Sequence, residues 1–488
     1  MTPELPSADT IPVDRRALVA IDLGAESCRV SLLRWLPDGP SIELVHRFAN
    51  HAEERGDELR WPLQRILDGL HEGLERCAAI AGEGVRSIAV DGWAVDYVRL
   101  DDAGNAVADP FCYRDRRTEV AEASVHERIS ASRMRELTAV QVQRINSVYQ
   151  LHADEPEIAG LPWLNLPEYV LYKLGGRRVA ELTNATHSQL VDLDGKWSSE
   201  IFDALSMPVE LAPDIVPPGT DVGQLQGELA KLPQFAGTRL IAPACHDTAS
   251  AISGIPETGD DWAYISSGTW SLVGMLLDAP ICSDEAAAAN FTNLAAAGGK
   301  TCFHKGVNGL WLLRQCMESW RAAGTDFTLA ELLYSAEIVA PAGYVLQVDD
   351  PDLLLQGGMP DRINAQLRRH RLAVLDTSPA GAPEVVSLIL RSLAARYAEI
   401  LAKLEELTGR GLTRVHVIGG GSQNRFLNRL IADATGLTVV VGSAESSTLG
   451  NFAVQLASLE GPLAGQDRDL RGDHSFWAKH LAGAQKNS

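Results

Sequence analysis

The sequence predicts an α/β protein whose two halves repeat one architecture around a central cleft. A strand–turn–strand unit with a small-residue tip stands near the start of each half, which is the mark of a duplicated framework. Late in the second half a strand, a glycine loop and a helix follow one another, an order suited to nucleotides. The 488 residues exceed what one compact core accommodates and fit two units.

The elements follow in order. From Ala17 the run ALVAIDLGAESCRVSLLRW sets two apolar-rich stretches on either side of a polar turn at 24–28, the pattern of a hairpin. Residues 63–80 carry apolar side chains at helical spacing and predict an amphipathic helix. Residues 85–100 read as a strand, a turn at 92–94 and a second strand. Residues 238–244 predict a buried strand, which Cys245, His246 and Asp247 interrupt before a helix begins at Thr248, with Asp247 at its N-cap. Residues 261–275, DWAYISSGTWSLVGM, repeat the opening hairpin around a Ser-Ser-Gly-Thr turn. Gly, Pro and acidic residues gather at 253–259 and divide a first domain, 17–255, from a second, 256–480. Residues 384–408 predict a long helix with Val386, Ile389, Leu390, Leu393, Tyr397, Leu401 and Leu404 on one face, stopped by Gly409 and Gly411. A strand at 415–418, the loop 419–424 and a helix at 425–434 complete the second half. Residues 1–16 and those after Leu481 are expected to be disordered tails.

Composition excludes several classes. The 43 basic against 64 acidic residues give a formal net charge of −21, which repels nucleic acid and anionic membranes. A bound phosphate then needs a local site of backbone N–H groups. The seven cysteines are scattered and form no C-x-x-C pair, which argues against a disulfide scaffold or a zinc site. No apolar run approaches the roughly 20 residues of a membrane span, and the start lacks the apolar stretch of a signal peptide. A cytoplasmic protein is expected, with no nucleic-acid or membrane partner, as a monomer or homodimer.

Transfer of a phosphoryl group asks a protein for positioning, charge neutralisation and one base. Asp22-Leu23-Gly24-Ala25-Glu26-Ser27 offers backbone N–H groups and a hydroxyl to a phosphate, with Asp22 able to hold Mg²⁺; the same residues also suit an ordinary turn. Ser266-Ser267-Gly268-Thr269 repeats that chemistry, and two such tips in equivalent positions can clamp one polyphosphate. Asp247 suits either a helix cap or a general base for a sugar hydroxyl. His246 suits either a structural histidine or a sugar contact. Gly419 to Gly421 brings backbone against a flat adenine or serves as a flexible loop. Trp93, Asp96 and the run 113–117 suit a polyol or, equally, the core and a solvated face.

The ordered set VAIDLGAESCRV, VDGWAVDYVRLD, YRDRRT, TNATHSQLVDL, HDTASA, YISSGTWSL, GLWLLR, IGGGSQN and STLGN resembles the FGGY carbohydrate kinases from about residue 17 to residue 456. The resemblance implies two ribonuclease-H-like (actin-like ATPase) domains around a cleft, with sugar and phosphate on the first and adenine nucleotide on the second. It implies ATP as co-substrate, Mg²⁺ as cofactor and a ketose acceptor. L-rhamnulose, phosphorylated at its 1-hydroxyl, is the expected ketose, with L-fuculose or xylulose as alternatives. By position it makes Asp247 the proton acceptor, sets Ala94, His246, Thr248 and Gly306 at the sugar, and sets Gly24, Ala25, Glu26, Ser27, Cys28, Arg29, Thr269, Arg314 and Gly420 at ATP. Chaperones share the architecture, so a nucleotide-gated binding protein is the remote alternative.

Departures from the family pattern bear on the substrate. The phosphate loop usual in the rhamnulose-specific branch, A-S-S-G-R, reads here Ala25-Glu26-Ser27-Cys28-Arg29. Unit charges 4 Å apart at an effective dielectric of 20 repel by about 4 kcal/mol, so Glu26 is expected to turn away from the γ-phosphate or to meet Mg²⁺. Ala94 replaces a glycine, Gly306 an asparagine and Arg314 a glutamine. Loss of the asparagine removes a hydrogen bond to a sugar hydroxyl, and Asn308 is the nearest substitute.

Overall fold

The computed structural model describes residues 12–461 and 472–482. The first lobe is built on a six-stranded sheet of β1 (Ala17–Leu23), β2 (Ser27–Leu36), β3 (Gly39–Ala49), β4 (Val85–Gly92), β5 (Thr220–Gln224) and β6 (Arg239–Ala242), in the order β5-β6-β4-β1-β2-β3. β1, β2 and β3 pair antiparallel, and β4 and β6 continue the sheet parallel to β1. All seven residues of β1 are buried, because the sheet is covered on both faces, which turns an alternating strand pattern into a continuous apolar run. The amphipathic helix α1 (Leu63–Ile80) covers one face with Ile66, Leu70 and Leu74.

The second lobe repeats this plan. Its sheet is formed by β7 (Trp262–Ser267), β8 (Trp270–Leu277), β9 (Thr292–Ala295), β10 (Thr301–Asn308), β11 (Arg414–Ile418) and β12 (Thr438–Val441), in the order β9-β10-β8-β7-β11-β12. β7, β8 and β10 are antiparallel, and β11 and β12 are parallel to β7. Five strands of each sheet therefore follow one order and one set of directions.

Helices complete the cores and join the two lobes into one molecule. The short α2 (Asp247–Ser253) leaves the first sheet, yet its Ala251 and Ile252 pack with Trp262, Tyr264 and Ile418 of the second. α3 (Trp311–Ala322) follows β10, and α4 (Ala382–Thr408) buries Val386, Ile389, Leu393 and Leu401 in the second-lobe core. α5 (Arg425–Thr435) follows the glycine loop. α6 (Ser446–Glu460) and α7 (His474–Leu481) return to the first lobe, where Leu449, Phe452, Leu456 and Trp477 pack on Leu18 and Ala20. Each large apolar side chain buried this way contributes about 1.5–3 kcal/mol. α2 and α6 thus cross between lobes, and they touch where Gly450 lies so close to Ser250 that an added Cβ would collide with its carbonyl oxygen.

Two expectations change. The two strands read into 85–100 are not one hairpin: the second, Tyr97–Arg99, pairs with Trp163–Asn165 in a separate two-stranded ribbon. Between them Val95 takes φ 72°, a conformation unfavourable for a β-branched residue, and its carbonyl accepts hydrogen bonds from Ser147 and Gln150. Of the expected tails, residues 1–11 and 483–488 lie outside the described residues. The rest of the first tail is held in place, with Asp14 accepting bonds from Arg16 and standing 3.6 Å from Arg86.

Candidate active site

The ends of three adjacent strands in the first lobe each carry a carboxylate, two at the cleft floor and one, Asp91, buried beneath it. Asp22 closes β1, and the parallel register sets it directly beside Asp91 on β4. Asp247 follows β6, tied to the same sheet by the bond from Gly92 N to the Cys245 carbonyl. Asp22 Oδ2 accepts from Arg29 at 2.9 Å and from Ser447 at 2.7 Å. Asp91 accepts from Asn451 at 2.6 Å through one oxygen, while its Oδ1 is fully buried with no partner among the described residues. Burial and the neighbouring charge of Asp22 hold the Asp91 carboxyl well above its usual range. Asp247 lies at the bottom of the cleft with its side chain about one third exposed. Its carboxyl is pushed up to about 7, first by burial and then by Asp22, against the opposing bond from the Thr248 hydroxyl.

The segment carrying Asp247 is fixed from below. Glu181 Oε2 accepts from Cys245 N at 2.8 Å, and Thr183 Oγ1 accepts from His246 N at 3.2 Å. The helix α2 begins at Asp247, with His246 at the cap position and no capping side-chain bond. The expected capping role of Asp247 is therefore not used, and its carboxylate stays free for the cavity.

A chain of imidazoles backs this carboxylate. His187 and His246 meet through Nε2 and Nδ1 at 3.0 Å, and His246 Nε2 stands 3.3 Å from Asp247 Oδ1. Burial drives His187 down to about 3, His304 to about 4 and His246 well below its ordinary value, so all three rings are neutral near pH 7. With Asp247 ionised, His246 carries its proton on Nε2, facing the carboxylate, and accepts at Nδ1 from His187. That tautomer follows from the partners.

The two hairpin tips face each other across the cleft. The Thr269 hydroxyl on the second lobe is 3.5 Å from Glu26 Oε1 on the first, and Arg314 of α3 forms an ion pair with the same carboxylate. Behind the second tip the glycine loop packs on β7. Gly419 has φ 80°, and a Cβ on Gly421 would collide with Ser267 Oγ, whereas one on Gly420 would meet open space.

Between the lobes lies a cavity of about 630 Å³, a volume suited to a small metabolite with part of a nucleotide. Asp22, Gly24, Ala25, Glu26, Ser27, Arg29, Ala94, His246, Asp247, Thr248, Thr269, Gly306, Arg314 and Gly420 all line it. Cys28 does not: its thiol is buried in the first core, because it alternates with Ser27 and Arg29 along β2 and points to the opposite face. Asp96 is withdrawn as a polyol ligand, since its buried carboxylate already accepts from Trp61, Trp93, Gln150 and the Tyr113 N–H. Asn308 cannot stand in at the sugar, because its amide is spent on the Val348 and Leu353 carbonyls. Glu26 forms an ion pair with Arg314 across the cleft. His187, Arg47, Gln141 and Asn146 also line the cavity and escaped the sequence reading, as did Asp91 beneath it. The TNATHSQLVDL stretch carried His187 in plain view, but nothing local tied it to His246.

The donor set suits a hard divalent cation. Oxygen ligands, the adjacent carboxylates of Asp22 and Asp91 and one orphaned carboxylate oxygen match Mg²⁺, which takes one or two protein carboxylates and completes its shell with water and phosphate. No cluster of three or more metal-binding side chains exists among the described residues.

Comparison with known proteins agrees on one family. Residues 17–254 match the N-terminal domain and residues 263–459 the C-terminal domain of the FGGY family of carbohydrate kinases. The chain is 37% identical to a rhamnulokinase from Enterococcus faecalis over 91% of its own length and 90% of the relative's. It is 34% identical to one from Bacteroides thetaiotaomicron, with 93% and 92% covered, and 31% identical to one from Bacillus subtilis, with 90% and 89% covered. Among solved structures it is similar in fold to a ligand-bound xylulose kinase from Lactobacillus acidophilus, with TM-score 0.76, 16% identity and 94% and 92% covered. Glycerol kinase from Plasmodium falciparum follows with TM-score 0.73, 14% identity and 97% and 93% covered. Among the described residues no helix is long and apolar enough to cross a membrane.

Proposed function

This chain belongs to the FGGY family of carbohydrate kinases, and from that premise we propose that it transfers the γ-phosphoryl group of ATP to the 1-hydroxyl of L-rhamnulose. The observation that carries the chemistry is a carboxylate poised near 7, Asp247, open to a cavity between two facing hairpin tips. The observation that favours the sugar is the set of rhamnulokinases matched over about nine tenths of the chain.

In this reading the sugar lies over Asp247 with Ala94, His246, Thr248 and Gly306 around it. The triphosphate runs between Gly24–Arg29 and Thr269, and the adenine rests on Gly420. As the sugar oxygen forms its bond to the γ-phosphorus, its proton passes to Asp247 and the bond to the β-phosphate oxygen breaks, releasing ADP. His246 holds the carboxylate's orientation, and its neutral ring adds no competing positive charge. A base with affinity near the working pH accelerates such a step by roughly 10² to 10⁴. Mg²⁺, held by Asp22 with Asp91 behind it, would neutralise phosphate charge. Arg29 already neutralises Asp22 in part, which keeps three carboxylates compatible with a polyanion. The domain assignment, 17–255 for sugar and phosphate and 256–480 for the adenine nucleotide, belongs to the same reading.

The test is ADP release across a panel of ketoses. L-rhamnulose is expected to give the highest kcat/KM, and its product should carry phosphate on the 1-oxygen. A tenfold preference for L-fuculose or xylulose would overturn the sugar while leaving the kinase intact.

A further inference from the structure

Glu26 and Arg314 belong to opposite lobes, and both are about half exposed at the mouth of the cavity. Glu26 sits in the turn between β1 and β2, and Arg314 sits on the first turns of α3, behind the β7–β8 tip. Their ion pair spans the gap that a triphosphate must enter, since Gly24, Ala25 and Ser27 line one side of that gap and Gly268 and Thr269 the other. Thr269 adds a 3.5 Å contact to the same carboxylate, and Glu318 holds the guanidinium Nε at 3.1 Å.

We propose that Glu26 and Arg314 form a cross-cleft latch that the nucleotide's phosphates displace, so that Glu26 competes with ATP for Arg314. The proposal rests on the reading that this cavity takes a nucleoside triphosphate. An exposed pair of this kind is weak and screened by salt, and a polyphosphate brings several charges and a bidentate fit for a guanidinium. The phosphate therefore wins Arg314, but only after the pair is broken. The benefit of Arg314 to nucleotide binding is masked while Glu26 is present, and Glu26 acts as a positioning residue that tunes ATP affinity without touching the transferred group.

Binding of ATP alone, followed by calorimetry on the full chain, tests this through Glu26→Gln, Arg314→Gln and the double variant. All are surface changes, and circular dichroism checks their fold. Competition predicts that Glu26→Gln tightens ATP about tenfold when Arg314 is present and about twofold when Arg314 has been replaced. Arg314→Gln then weakens ATP about twofold in the chain that keeps Glu26 and about tenfold in the Glu26→Gln background. This fivefold coupling, the upper end for exposed pairs, should shrink at about 0.5 M salt, and in turnover it should move KM for ATP more than kcat. Equal cost of Arg314→Gln in both backgrounds would overturn the latch, and so would a larger cost beside Glu26, which would mean the pair persists with nucleotide bound. A wild-type chain that binds no ATP removes the proposed reaction as well; one that binds ATP with independent effects removes the latch alone.

Discussion

The two lobes share a hydrogen-bonded frame and differ in what that frame presents. In the first, the ends of β1 and β4 and the segment after β6 carry Asp22, Asp91 and Asp247. In the second, the ends of β7, β11 and β12 carry Ser266 and Ser267, Gly419 and Gly442. One copy of the architecture has kept charge and the other backbone. The difference suits a reaction in which a polyanion must be held without repulsion on one side while a proton and a cation are managed on the other.

The largest effect should come from the charged side. Asp247→Asn is expected to lower kcat by about 10² to 10⁴ with no fall in thermal midpoint, since burial and Asp22 already disfavour the charge it removes. Thr269→Ala on the neutral side should cost about tenfold or less, chiefly in KM for ATP, as loss of one hydrogen bond does. Steady-state kinetics with both substrates varied separates these outcomes. A kcat collapse at Thr269 with little change at Asp247 would reverse the division of labour.

The second effect sharpens the neutral side. Gly421→Ala forces a Cβ against Ser267 Oγ, and Gly450→Ala forces one against the Ser250 carbonyl. Each should cost about 1–3 kcal/mol of stability in urea unfolding. Gly420→Ala meets open space and should change stability by less than about 0.5 kcal/mol. A rise in KM for ATP in that variant would then report a ligand approaching the loop. An unchanged KM would move the adenine elsewhere.

These two sides were not equally legible in the sequence. The neutral tips and the helices 63–80 and 384–408 follow from local periodicity and turn residues, so a single pass finds them. The charged side is assembled over long separations. Ser447 reaches Asp22 across 425 residues, and Asn451 reaches Asp91 across 360, pairings that no local pattern encodes. Asp91 and Asp96 look alike in VDGWAVDYVRL, yet one ends beneath the cleft and the other is walled in by four donors. Cys28 failed for the reverse reason: its position in a motif was right, and the face of the strand was wrong, whereas Asn308 shares its strand face with Gly306 and failed because its amide already donates to the Val348 and Leu353 carbonyls.

A smaller effect follows from the position of Asp247 in its field. Its affinity for a proton is raised to about 7 by burial and by Asp22, so the acid form dominates below that value and the base above it. The ratio kcat/KM for the sugar should therefore rise with pH through about 7 and fall roughly tenfold for each unit below it. A pH profile flat from about 5 to about 8 would remove Asp247 as the base.

The smallest effect tests whether the charged side extends beyond its carboxylates. His187 touches no expected position of the reacting atoms, yet its Nε2–H is the donor that keeps His246 Nδ1 occupied and the His246 Nε2–H turned toward Asp247. Removing that donor lets His246 shift its proton to Nδ1 and offer a lone pair to the carboxylate, which repels the base and changes its proton affinity. His187→Leu is expected to lower kcat about threefold to tenfold and to shift the acidic limb of the pH profile, with KM for ATP unchanged. His187→Gln places an amide N–H near the same point and should recover most of the loss. Packing alone predicts otherwise: a ring needed only to fill space would give equal losses with Leu and Gln, would lower the unfolding midpoint, and would leave the limb near 7. The limb position is therefore the decisive reading, because it reports the proton on His246 and is indifferent to volume.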